Sequence, residues 1–106
     1  MSVNSPTDVL MTIAHSLVAS QKYASVEQAL QGIALSEVKR KIAYYQRRIR
    51  AMERKHGADF DAFSARLKGR ATPAEEDDWL AWRSAQRMLA DWQRTYKELD
   101  SGRARA

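Results

Sequence analysis

Two stretches of this sequence repeat the same spacing of apolar residues. Leu35, Val38, Ile42, Tyr45, Ile49 and Met52 follow one another in alternating steps of three and four, and Trp82, Ala85, Leu89, Trp92, Tyr96 and Leu99 do the same. Such steps average about 3.5 residues, the period at which a helix keeps one apolar stripe turned toward a partner helix. Two matching stripes in one short chain predict that they bury each other, as an antiparallel helical hairpin over about 25–56 and 73–99. No stretch combines β-branched residues with strict alternation, so no strand is expected and the fold class is all-α.

Start and stop signals divide the chain further. Ser5-Pro6-Thr7-Asp8 opens a helix to about 19: Ser caps free N–H groups, Pro suits the first turn, and Asp suits the positive dipole end. Ser25-Val26-Glu27-Gln28 has capping-box spacing and starts the next helix. Gly32 is a poor helix residue, so either the helix breaks near Ser36 or packing overrides the glycine; one helix that bends is the favoured reading. His56 takes the next step of the first stripe, and Gly57 then ends the helix in a left-handed conformation, with Arg54, Lys55 and His56 at its negative end. A short helix over about 59–67, started by Asp59, lays Phe60, Phe63 and Leu67 against the hairpin as a corner. Thr72-Pro73-Ala74-Glu75 joins a cap, a first-turn Pro and a capping-box Glu, with Glu76, Asp77 and Asp78 following. A single helical domain over 1–106 results, with an N-terminal helix and linker over 1–24 and a flexible, frayed basic tail over 101–106.

Val9, Leu10, Ile13 and Leu17 put a broad apolar face on the N-terminal helix, which must dock within the chain or on a second copy. These four residues are the self-association candidates, and a homodimer is the corresponding expectation. The chain has no cysteine, so thiolate chemistry and Cys-based metal sites are excluded, and a cytoplasmic location is the simplest fit. Nothing approaches the roughly 20 uninterrupted apolar residues of a membrane helix, and Met1 to Thr7 lacks the basic start of a secretory signal. The formal charge of +5 attracts anionic surfaces without identifying one.

Several residue groups invite chemistry and each has a plainer reading. Glu75, Glu76, Asp77 and Asp78 resemble metal-binding or acid–base carboxylates. Consecutive helical residues point in different directions, however, and neither His15 nor His56 stands at ligand spacing, so they read as a cap and as partners for Arg47, Arg48, Arg50, Arg54 and Lys55 across the hairpin. Between Ser36 and His56 there are eight Lys or Arg against two Glu, either a phosphate-binding stripe or a solvated face spread around the helix. Tyr45 lies on the stripe, and Tyr44, rotated by about 100°, is the more available ring. Trp79 and Trp82 cannot both face inward equally, which leaves one of them open to an exposed patch with Arg83, but core packing is the favoured reading for each. There is no Gly-rich phosphate loop, no His-x-x-x-His or Glu-x-x-His pattern and no Ser/His/Asp set. The expectation is a protein that is not an enzyme, with no catalytic residue, metal or cofactor.

The order of the motifs resembles a group of small prokaryotic helical proteins. The matching runs are Ser25-Val26-Glu27-Gln28-Ala29-Leu30, Val38 through Ile49, Met52-Glu53-Arg54-Lys55-His56-Gly57 leading to Phe60 and Phe63, Leu67 through Pro73, and Glu76-Asp77-Asp78-Trp79-Leu80-Ala81-Trp82. Proteins of that group are encoded beside toxin-like genes and are regarded as the antitoxin halves of TumE-type toxin–antitoxin pairs. The resemblance spans about Leu10 to Leu99. It implies a non-catalytic subunit that binds and neutralises a cognate toxin protein, here through Tyr44, Arg47, Arg48, Asp77, Asp78, Trp79 and Arg83. The competing expectation is a nucleic-acid-binding protein that uses the basic face of residues 39–55, although no helix-turn-helix, zinc-finger or stacking motif supports it. A third is a purely structural, self-associating coiled coil.

Overall fold

The structure, a computed structural model, describes residues 5–105, with side chains over 5–102. Four helices follow in order: α1 (Pro6–Ala19), α2 (Val26–His56), α3 (Phe60–Leu67) and α4 (Pro73–Arg105). Among the described residues there is no strand, and no helix is long and apolar enough to cross a membrane.

Each start is made by the expected cap. Ser5 Oγ accepts from the Asp8 N–H at 3.0 Å, Ser25 Oγ from Gln28 at 3.1 Å, and Asp59 Oδ1 from Ala62 at 2.8 Å. At α4 the box is reciprocal: the Thr72 N–H donates to Glu75 Oε1 at 2.9 Å, and the Glu75 N–H donates to Thr72 Oγ1 at 3.2 Å. The Thr72 N–H and then its hydroxyl hold the Glu75 carboxyl below its usual range. Gly57 ends α2 with φ of 59°, the left-handed conformation that only glycine adopts without strain.

The hairpin is antiparallel, with α2 packed along α4. Gln31 Nε2 donates to the Leu99 carbonyl at 2.9 Å at the open end, and His56 meets Asp78 at the closed end. Every member of both stripes is covered. Leu35, Val38, Trp82 and Ala85 are buried, and the other eight are half-buried. Half-burial follows from having two helices, because a pair covers a stripe from one side only. Phe63 and Trp82 are the large, fully buried side chains, with rings 5.4 Å apart, and Phe60 meets Trp82 edge-on at 5.4 Å.

α1 packs on the N-terminal half of α2 within the same chain, burying Ala14 and Ala29. Its end carries no glycine: Gln21 takes the left-handed position at φ of 64°, while Lys22 N–H reaches the Leu17 carbonyl at 3.0 Å and Gln21 N–H reaches Val18 at 2.9 Å. Gly32 lies inside uninterrupted α2 because Tyr23 crosses it. A Cβ there would stand 2.5 Å from Tyr23 Cζ and 2.8 Å from Cε1.

The last helix runs further than its expected end near Leu99. α4 continues through Arg105, and Ala106 lies outside the described residues. Gln31 holds α4 at the Leu99 carbonyl, one turn before Gly102.

Candidate partner-binding surface

The closed end is the most organised part of the molecule. His56, the last residue of α2, places Nε2 2.9 Å from Asp78 Oδ2, and the Lys55 ammonium reaches the same oxygen at 2.7 Å. The His56 ring lies 4.0 Å from Phe63 and 6.1 Å from Trp82, so one imidazole touches α3 and α4 together. Lys55 first, then His56, hold the Asp78 carboxyl below its usual range, against an opposing effect of burial. Arg66 Nη2 closes the corner by donating to the His56 carbonyl at 2.8 Å.

Of the cations expected to meet the acids of α4, only Lys55 makes an ion pair with one among the described residues. The reason is rotational. At about 100° per residue, Arg47, Arg50 and Arg54 fall on the side of α2 turned away from the stripe and therefore from α4. All three are exposed, as are Lys39, Lys41 and Arg48, and none of the six makes an ion pair among the described residues. Arg40 is paired along its own helix with Glu37 at 3.5 Å. Glu75 is occupied as a cap, and Asp77 is exposed.

The seven residues singled out for partner binding fall into two groups. Tyr44 is 44% exposed, and Arg48 both donates to its hydroxyl at 3.3 Å and lies 5.6 Å from its ring centre. Tyr45 supports that ring edge-on at 4.9 Å. Arg47 is exposed beside them. Arg48 also lines, with Ala51, Met52, Ala81 and Ala85, a small dip of about 150 Å³ over Trp82. Asp78 faces this flank through Lys55.

Trp79 and Arg83 lie on the other flank, toward α3. The Trp79 indole N–H donates to Ser64 Oγ at 2.8 Å, its ring stacks on Phe60 at 5.6 Å, and Arg83 covers it at 5.4 Å. Consecutive residues Asp78 and Trp79 thus point about 100° apart, Asp78 to the end of α2 and Trp79 toward α3, and the expected acid–Trp patch is divided. Trp82 takes the inward position and Trp79 the outer one. Beside Trp79, an apolar groove of about 400 Å³ is lined by Leu67, Ala71 and Leu80, and Leu80 is 56% exposed.

The self-association candidates remain on the surface. Val9, Leu10 and Ile13 are exposed, and Leu17 is half-buried. His15 is exposed, and among the described residues no three His, Cys, Asp or Glu gather as a metal site. The pairing of His56 with Asp78 escaped the sequence reading. The available signal was that Asp78 stands four residues before Trp82, so both polar residues occupy the next step of their stripes. Set against known proteins, the chain matches no family model, no curated protein and no solved structure.

Proposed function

We propose that this chain is a non-catalytic, antitoxin-like subunit that binds and neutralises a cognate toxin protein through the outer face of its hairpin. The observation that carries the reading is the exposed Tyr44 with Arg48 bonded to its hydroxyl, on a helix whose Arg47, Arg50 and Arg54 make no ion pair among the described residues. Tyrosine and arginine are the side chains that most often carry interface energy. Guanidinium groups without partners favour a surface rich in carboxylates. The partner's binding surface is therefore acidic, and the motif resemblance supplies its kind, a toxin encoded next door.

Co-expression with the product of the adjacent gene tests this reading. The two proteins should co-purify, and growth arrest by the neighbour should be relieved. Replacing Tyr44 and Arg48 together by Ala should weaken the complex by about 2 kcal/mol or more while the helical signal is unchanged. No complex and unrelieved arrest would sink the proposal.

A nucleic-acid reading has one observation in its favour. Arg40, Arg47 and Arg54 follow at seven-residue steps with Arg50 between them, which places four guanidinium groups along one outer line of α2. Four phosphate contacts give a slope of about −3 in log affinity against log salt. A flat salt response, or no binding to duplex or single strand, removes this reading.

A further inference from the structure

α2 carries a second stripe. Val26, Ala29 and Ile33 begin it, and Ser36, Arg40, Ala43, Arg47, Arg50 and Arg54 continue it in the same alternating steps of three and four. At about 100° per residue it runs along the side of α2 turned away from α4. Spacing of this kind keeps one face toward a neighbouring helix over its whole length.

The two halves of the stripe differ in cover and in chemistry. Ala29 is fully buried beneath α1, and Ile33 is half-buried, lining one groove with Leu10 and Leu17 of α1. In the second half Ser36 and the four arginines are exposed, and Ala43 is half-buried. The helix position beside α2 is thus filled by α1 over the apolar half and open over the cationic half. Arg47, Arg50 and Arg54 make no ion pair among the described residues, and Arg40 has the exposed Glu37. Ala43 and, on the flank, Ala51 leave room for a second backbone, while the arginine stems supply apolar contact.

Spacing identifies the occupant. Arg40, Arg47 and Arg54 stand about 10.5 Å apart on a nearly straight line of about 21 Å. A helix laid alongside, with a carboxylate at every seventh residue, has the same repeat, so each guanidinium meets one acid. A strand of duplex DNA covers that distance in about three base pairs and turns by about 100° as it does, which carries its phosphates off the line. A second copy of the chain offers no such helix. On the exposed side of α4, Asp77, Asp91 and Glu98 are interleaved with Arg87 and Arg94, and Arg94 is bonded to Asp91.

We infer that the stretch from Arg40 to Arg54 seats an acidic helix of the partner, end to end with α1 in the same layer, with its carboxylates at seven-residue steps. The inference rests on the partner being a protein, as proposed above, and adds which element that protein presents.

The probe is a capped, alanine-rich helical peptide of three heptads with glutamate at every seventh position, titrated into the full chain at low salt. An isomer of equal composition carries its glutamates at every fifth position, where they wind round the helix. The first peptide should bind about tenfold more tightly, the combined effect of three exposed charge pairs. Arg47→Glu should abolish that preference with the helical signal unchanged, and a peptide with lysine as its central charge should recover it on this variant. Equal affinity for the two isomers overturns the inference, as does a lysine peptide that recovers nothing. Tighter binding of duplex or single-stranded DNA than of the peptide overturns it in favour of nucleic acid. A toxin that co-purifies undiminished with Arg47→Glu overturns it while leaving the proposed function standing. Peptide selectivity without any toxin complex supports the helix site and sinks the toxin reading alone.

Discussion

His56 and Asp78 each continue an apolar series with a polar side chain, and each finds the other. A polar residue at a half-buried seam position costs solvation unless it is paired, so the two are tolerable only together. Sequence spacing put both on their stripes. It did not reveal the pair, because the register that opposes position 56 to position 78 depends on the length of the α3 corner. Asp78→Asn keeps the shape but removes the charge shared with Lys55 and His56. It should lower stability by about 1–2 kcal/mol at neutral pH, read from urea unfolding. Because folding depresses the Asp78 pKa, its contribution is present in full above about pH 4, the ordinary carboxylate range, and is lost as pH falls through the depressed value. The gap between wild type and variant should therefore close in strong acid. A gap that persists there would mean the charge is not what Asp78 contributes.

At the scale of elements, the caps were legible because a cap is a local device, read within four residues. Ser5, Ser25, Asp59 and Thr72 all act where the sequence placed them. The joint between α1 and α2 was less legible. Its left-handed residue is Gln21, where a glycine would have announced the turn, and the reason for Gly32 is a tyrosine nine residues away. Gln21→Gly should stabilise the chain by up to about 1 kcal/mol by relieving the left-handed strain, visible as a higher melting temperature. Gly32 gives a sharper test. Alone, Gly32→Ala should destabilise, because the new methyl displaces the Tyr23 ring. In a Tyr23→Ala background the same change should stabilise by about 1 kcal/mol, the ordinary preference of a helix for alanine. An equal effect in both backgrounds would show that Tyr23 does not set the residue at position 32.

The whole molecule is elongated and flat. Its radius of gyration is 19.6 Å and its extents are 59 × 35 × 18 Å, whereas a compact chain of this length has a radius near 13 Å. That length comes from α2 and α4, whose 31 and 33 residues were foreseeable from the stripes except for the last turns of α4. So flat a molecule has little interior, and its two cores lie apart. Phe63, Trp82 and Ala85 close one end, while Ala14 and Ala29 join α1 near the other, next to Leu35 and Val38. The hairpin stripes do not depend on α1, which packs on α2 and leaves the α2–α4 seam to those two helices. Removing residues 1–24 should therefore cost the helical signal of α1 but leave a cooperative melt for the rest. The indole signals of Trp79, Trp82 and Trp92 should change little. Collapse of the whole helical signal on truncation would instead make α1 part of a single core and move the main source of stability from the corner to the open end.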